Sequence, residues 1–118
     1  MDFISKRIKS IFHAIRGLAL LLKKEASIQV QFIIAIIMTV TGFYFEITST
    51  EWILQLLAIG LVMGLEGLNT AVEELSDFIH PEHNNKIGFI KDVAAGAVSI
   101  GAIIAIIVGL IIYIPKLS

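Results

Sequence analysis

The apolar residues of this chain fall into three long runs joined by short polar connections, and a segment with a mixed apolar and basic pattern precedes them. In that first segment, about residues 3–24, Ile4, Ile8, Ile11, Phe12, Ile15, Leu18, Ala19 and Leu22 recur at helical spacing. Lys6, Lys9, His13, Arg16, Lys23 and Lys24 take most of the remaining circumference. The pattern predicts a helix lying in a membrane interface, where anionic lipid also attracts the basic side. The first apolar run covers 28–45 and is rich in Ile and Val. After a short link at 46–51, the second begins at Trp52, an interfacial anchor type, and runs to Leu75; the third covers 93–114. Each is long enough to cross a bilayer. Residues 77–92 form a polar connection in which Pro81 stops any continuous helix. The expectation is an all-α membrane protein with a single domain over 1–118, an N-terminal amphipathic surface helix and three transmembrane helices in an oligomeric bundle.

Composition supports that class and removes others. Of 118 residues 57% are apolar, and they are concentrated in runs rather than spread over amphipathic soluble elements. A net charge of −1 excludes an overall basic footprint, so no nucleic-acid partner is expected. There is no cysteine, which excludes disulfides, thiolate catalysis and Cys-based metal sites. The N-terminus does not read as a cleavable signal peptide, because its basic and apolar residues are interleaved. Most of the Lys and Arg lie in the first segment, none lies in 46–51, and two lysines lie in 77–92. The positive-inside rule therefore predicts a cytoplasmic N-terminus and a cytoplasmic second connection, with Lys116 running against the trend.

Candidate chemistry enters with the second run. Glu66, Asn69, Glu73 and Asp77 are spaced by three, four and four residues, which places them on one helical face within an arc of roughly 80°. An ionisable group inside a membrane span costs roughly a few kcal/mol, so such a line reads as a functional site. The structural alternative for each acid is an interhelical hydrogen bond or a surface charge. Gly60, Gly64, Gly67 and Ala71 form a small-residue stripe nearly opposite, and Ala94, Ala97, Gly101 and Ala105 form another on the third run. Helices are expected to approach along these stripes, leaving the acidic face to a cavity or a neighbour. Three spans enclose a polar cavity poorly, which predicts a homo-oligomer.

Glu25, just before the first run, stands at the depth of Glu73, Lys91 and Asp92. Mg²⁺ takes one or two carboxylates together with phosphate oxygens and water, and Glu25 with Glu73 can offer that pair. Lys91 can neutralise phosphate charge. Glu66 lies about 10 Å deeper than Glu73 at 1.5 Å per residue, and is placed to take a proton from a lipid hydroxyl. Glu74 is isolated from this group and reads as a surface charge. A small proton-coupled transporter using Glu66 is the alternative, although it has no use for Glu25, Lys91 and Asp92. Known nucleotide-binding signatures are absent, and His80 and His83 lack the third ligand that zinc would want.

The run Glu66-Gly-Leu-Asn69-Thr-Ala-Val-Glu73-Glu-Leu-Ser-Asp77, followed by Lys91-Asp92-Val-Ala-Ala-Gly-Ala-Val98, closely resembles the signature of the prokaryotic diacylglycerol kinase and undecaprenol kinase family. The resemblance covers the whole chain, including Arg16-Gly17-Leu18 and Glu25. It implies an ATP- and Mg²⁺-dependent lipid kinase in the bacterial cytoplasmic membrane, acting as a homotrimer with active sites shared between subunits. By position it implies that Glu66 is the catalytic base and that Glu25 and Glu73 hold the metal. Asn69, Lys91 and Asp92 match residues around the nucleotide, as do Glu82, His83 and Asn84 in the connection, and Lys6 and His13 on the surface helix. Glu25 and Glu73 border the nucleotide as well, and Ala95 joins Glu66 at the lipid acceptor. The run Ala94-Ala95-Gly96-Ala97-Val98 looks more like the undecaprenol kinase branch.

Overall fold

The computed structural model describes residues 2–118, and all its regular elements are helical: α1 (Asp2–Lys24), α2 (Ala26–Tyr44), α3 (Ser49–Ile79), α4 (Asn85–Tyr113) and a closing 3₁₀ turn (Ile114–Lys116). The last three α-helices are long and apolar enough to cross a membrane. Most of their large apolar side chains point outward, Ile33, Leu57 and Ile111 among them, as expected of surfaces solvated by lipid tails.

Local chemistry sets each helix end. Between α1 and α2 only Glu25 leaves helical geometry, at φ −100° and ψ 112°. The Gln29 amide donates to the carbonyls of Leu22 (3.1 Å) and Lys23 (3.0 Å), satisfying two end groups of α1. α2 ends in a Schellman motif, in which the Ile47 N–H bonds the Gly42 carbonyl and the Glu46 N–H bonds that of Phe43. Glu46 occupies the left-handed position (φ 52°) where glycine is usual. Thr48 and Glu51 then form a capping box that starts α3.

The second connection is shorter than the expected 77–92. α3 continues through Asp77 to Ile79 and α4 begins at Asn85, so only 80–84 is non-helical. Pro81 marks the break, and the Asn84 side chain caps α4 by accepting from the Lys86 (2.8 Å) and Ile87 (3.4 Å) N–H groups. At 31 residues α3 is about 46 Å long, well beyond the roughly 30 Å hydrocarbon core, so the polar stretch around Asp77 projects from the apolar layer as helix rather than loop.

α3 and α4 make the most extensive helix pair. A Cβ built on Gly101 would lie 2.8 Å from Leu65 Cδ1, which identifies Gly101 as the notch that takes Leu65. The stripe expectation needs correction here. Gly60 and Gly64 have nothing within 4 Å of a built Cβ, whereas Asn69 and Ser76, on the same side of α3 as Leu65, are buried. The polar side of α3 is thus partly covered within one chain, and the Gly60/Gly64 side is open. On α4 the contact falls on the expected stripe at Gly101, whereas on α3 the Leu65 knob, reinforced by an ion pair between Asp77 and Lys91, takes the place of Gly60 and Gly64.

The tightest packing lies at the α2–α3 link, opposite the Asp77 end. Ile47, Ile112 and Tyr113 are buried there with Met38, Phe45, Trp52 and Val108 around them. The Tyr113 hydroxyl donates to Gln55 Oε1 (2.6 Å), and the Gln55 amide donates to the Met38 carbonyl (3.1 Å), tying together α2, α3 and α4. Lys116 pairs with Glu51 at 3.1 Å, which gives the discordant positive charge a local partner. α1 contributes little to this core. Its half-buried residues are Gly17, Ala19, Leu21 and Leu22, and residues 2–16 are exposed.

Candidate functional site

The corner at Glu25, the last turns of α3 and the start of α4 meet at one end of the molecule. The Glu25 side chain does not cap α2, and among the described residues its carboxylate makes no side-chain hydrogen bond or ion pair. It lines a groove of about 560 Å³ with Gly17, Leu21 and Lys24 of α1 and Gly67, Thr70, Ala71 and Glu74 of α3. Small residues hollow this groove, and a built Cβ on Gly67 would come within 3.2 Å of Leu21. One ammonium, two carboxylates and a hydroxyl line it, a set able to bind a cation and an anion side by side. Glu74 is an exposed charge, as expected, and it also lines this groove. Gly67, Thr70 and Glu74 follow one another at three and four residues along a single face, a spacing that marks Thr70 and Glu74 as groove residues in the sequence itself.

Asn69 and Glu73 form a second unit on the neighbouring side of α3. The Asn69 amide donates to Glu73 Oε1 at 3.0 Å, while Asn69 Oδ1 is buried without a partner among the described residues. A buried acceptor left in this state costs on the order of 1–3 kcal/mol unless a ligand donor meets it. Glu66 is half-buried one turn away, and among the described residues its carboxylate makes no side-chain hydrogen bond. Further out, the Lys91 ammonium bonds Asp77 at 2.5 Å, so α4 delivers a cation to the end of the polar line on α3. Asp92 and Ala95 are exposed on α4 at the same end.

The candidate residues are only partly brought together. Asn69 and Glu73 touch, and Lys91 joins the line through Asp77. Glu25 and Glu74 line the same groove, and Glu73 is not among the groove's lining residues. No cluster of three metal-ligating side chains occurs among the described residues. Glu82, His83 and Asn84 lie exposed in the 80–84 connection, where Asn84 caps α4 and His80 Nδ1 stands 2.8 Å from the Glu82 carbonyl. Lys6 and His13 are on the exposed part of α1, outside the groove.

Comparison with known proteins reaches across nearly all of these elements. The chain is 38% identical over 114 residues to the undecaprenol kinase of Bacillus subtilis, covering 97% of this chain and 93% of that protein. It is 33% identical over 107 residues to the diacylglycerol kinase of Haemophilus influenzae (90% and 91%) and 28% identical over 100 residues to that of Escherichia coli K12 (85% and 82%). Residues 12–113, from the middle of α1 to the end of α4, match the model of the prokaryotic diacylglycerol kinases. The chain belongs to the prokaryotic diacylglycerol kinase family.

Proposed function

We propose that this protein is an integral-membrane lipid kinase that transfers the γ-phosphoryl group of MgATP to the hydroxyl of a membrane lipid, diacylglycerol or undecaprenol. The reading is carried by the coincidence of the family match with the polar line of α3: residues 12–113 include Glu66, the Asn69–Glu73 pair and the Asp77–Lys91 bridge. Relatives that phosphorylate each of the two lipids resemble the chain over most of its length, and a transporter built on Glu66 gains no support from them.

In this reading Glu66 accepts the proton of the lipid hydroxyl, and it is the acid of the polar line set deepest among apolar neighbours. Lys91 exchanges its exposed Asp77 partner for phosphate oxygens. The two carboxylates assigned to Mg²⁺ suit an ion that needs only one or two from protein: Glu25 is uncapped, and Glu73 has one oxygen left after its bond to Asn69. When bound, the ion neutralises charge on the transferring phosphate. Glu73 lies outside the groove of Glu25, and a Glu25–Glu73 pair is then supplied by neighbouring copies of a homotrimer, consistent with the open Gly60/Gly64 side of α3. Lysine and arginine placement puts α1 and the 80–84 connection on the cytoplasmic side of the bacterial inner membrane, where ATP is available.

The test is phosphate transfer from labelled MgATP by purified protein in mixed micelles, with diacylglycerol and undecaprenol offered in parallel. Transfer to one lipid that is lost in Glu66→Gln is the expected result and names the acceptor. A folded protein that phosphorylates neither lipid in the presence of Mg²⁺ refutes the kinase reading.

A further inference from the structure

A single residue joins α1 to α2. Glu25 alone leaves helical geometry between them, so the direction of α1 depends on the backbone of a residue whose carboxylate lines the groove. On the α2 side of this corner Ile28 is buried and seats the helix. α1 has less to hold it: residues 2–16 are exposed, and Leu21 lies against Gly67 of α3. The remaining tie is Gln29, in the first turn of α2. Its Nε2 donates to the carbonyls of Leu22 (3.1 Å) and Lys23 (3.0 Å), and its backbone N–H donates to the Glu25 carbonyl (3.0 Å). Among the described residues no other side chain reaches α1 with a hydrogen bond from another helix. One residue thus grips the last turn of α1 through its side chain and Glu25 through its backbone.

Such a corner amplifies small rotations. Lys6 lies 18 residues before Lys24, about 27 Å at 1.5 Å per residue, so a turn of about 10° at Glu25 carries it through about 5 Å. The same turn shifts Lys24 and Glu25, the ammonium and one carboxylate of the groove, relative to Thr70 and Glu74 on α3. Displacements of about 1 Å already suffice to degrade a phosphoryl-transfer site, whose work is mainly positioning. From the kinase reading, on which this step rests, we infer that Gln29 is the positioning residue of the corner. By tying the last turn of α1 to the first turn of α2, it holds Glu25 and the basic side of α1 in the arrangement that takes Mg²⁺ and the nucleotide phosphates. Gln29 acts through Glu25 and α1, so it sets the binding of the MgATP complex and leaves the lipid acceptor alone. What the tie requires is a long side chain with donors. The final carbonyls of a helix lack N–H partners, and a cationic donor satisfies them as well as an amide does.

Gln29→Met keeps the length of the side chain and removes its donors, whereas Gln29→Arg is larger and keeps them. The tie predicts that Met loses function and Arg retains it; a role in packing alone predicts the reverse. Gln29→Ala, at this exposed position, is a second donor-free variant with the same expectation as Met. The first readout is independent of turnover: the Mg²⁺ complex of a non-hydrolysable ATP analogue is titrated by calorimetry into the full-length protein in mixed micelles without lipid acceptor. Its Kd is expected to rise about fivefold in Gln29→Met and Gln29→Ala, equivalent to one lost hydrogen bond, and to stay within about twofold of the parent in Gln29→Arg. In the transfer assay the KM for MgATP is expected to rise by the same factor in the donor-free variants, with kcat and the lipid KM unchanged. A parental Kd in both donor-free variants, or a Gln29→Arg protein as weak as Gln29→Met, overturns the inference even where lipid is phosphorylated. Binding that depends on Gln29, in a protein that phosphorylates neither lipid, sustains the positioning role and removes the kinase reading instead. Absence of binding to the parent protein overturns both.

Discussion

Gly42 is the position where the α2–α3 end of the bundle is most sensitive to a single methyl group. A Cβ placed there lies 2.7 and 2.9 Å from two ring carbons of Trp52 and 3.1 Å from Ile47 Cδ1. Carbon atoms pack at about 3.5–4.0 Å, so in Gly42→Ala the indole has to retreat by roughly 0.8 Å. Its retreat is opposed by Phe43, whose ring centroid lies 4.9 Å from that of Trp52, and by the Schellman turn that fixes Ile47. Overpacking of this kind costs about 1–3 kcal/mol, whereas replacing glycine by alanine inside a helix returns up to about 1 kcal/mol. A net loss of about 1 kcal/mol is expected for Gly42→Ala. In a Trp52→Leu background the clashing ring atoms are gone, and the same substitution is expected to stabilise by up to about 1 kcal/mol. The coupling between the two positions, about 1–3 kcal/mol, can be read from reversible SDS unfolding in mixed micelles followed by circular dichroism at the helix band. Equal stabilisation by Gly42→Ala in both backgrounds would refute the close Gly42–Trp52 contact.

Tyr113→Phe removes the donor to Gln55 and is expected to cost about 1 kcal/mol in the same unfolding assay, with no added loss when Gln55 is already Leu. Glu46→Gly relieves a left-handed residue at the end of α2 and is expected to stabilise by about 1 kcal/mol; a loss of stability would contradict the turn geometry. Glu73→Gln is expected to abolish phosphate transfer while the protein stays folded by circular dichroism and size exclusion. Unchanged turnover in that variant would rule out Glu73 as a metal ligand.

Much of the architecture was readable along the chain. The surface helix expected at about 3–24 is α1, and the runs 28–45, 52–75 and 93–114 lie almost wholly within α2, α3 and α4. The helix ends were harder to read. Pro81 correctly marked a break, but Asp77 and Asp92 are helical because the Asn84 cap and the outward projection of α3 let polar residues remain in helix beyond the apolar layer. The polar line on α3 was visible from its spacing, and the Asn69–Glu73 bond follows from their separation of four residues. Glu74 is exposed as expected, but that it shares a groove with Glu25 was not legible, because Glu25 is distant in sequence and only the α1–α2 corner brings it to that groove. Gln55 and Tyr113 form a polar tie across three helices that no local pattern announces.

In a bilayer every span has to satisfy its own backbone hydrogen bonds, so a run of about 20 apolar residues is helical whatever its neighbours do. For that reason sequence alone determined the number of helices, their approximate lengths and the face of α3 that carries the acids. Tertiary structure decided how each helix is turned about its axis. Small residues occur on several faces of α3 and α4 and permit close approach on any of them; the choice fell to Leu65 entering the notch at Gly101 and to the Asp77–Lys91 pair. That rotation buries Asn69, leaves Gly60 and Gly64 open, and sets Gln31 facing a crevice instead of lipid. These outcomes depend on fit between surfaces distant in sequence, and lipid tails, as apolar as the side chains themselves, give no hydrophobic preference that would reveal them along the chain.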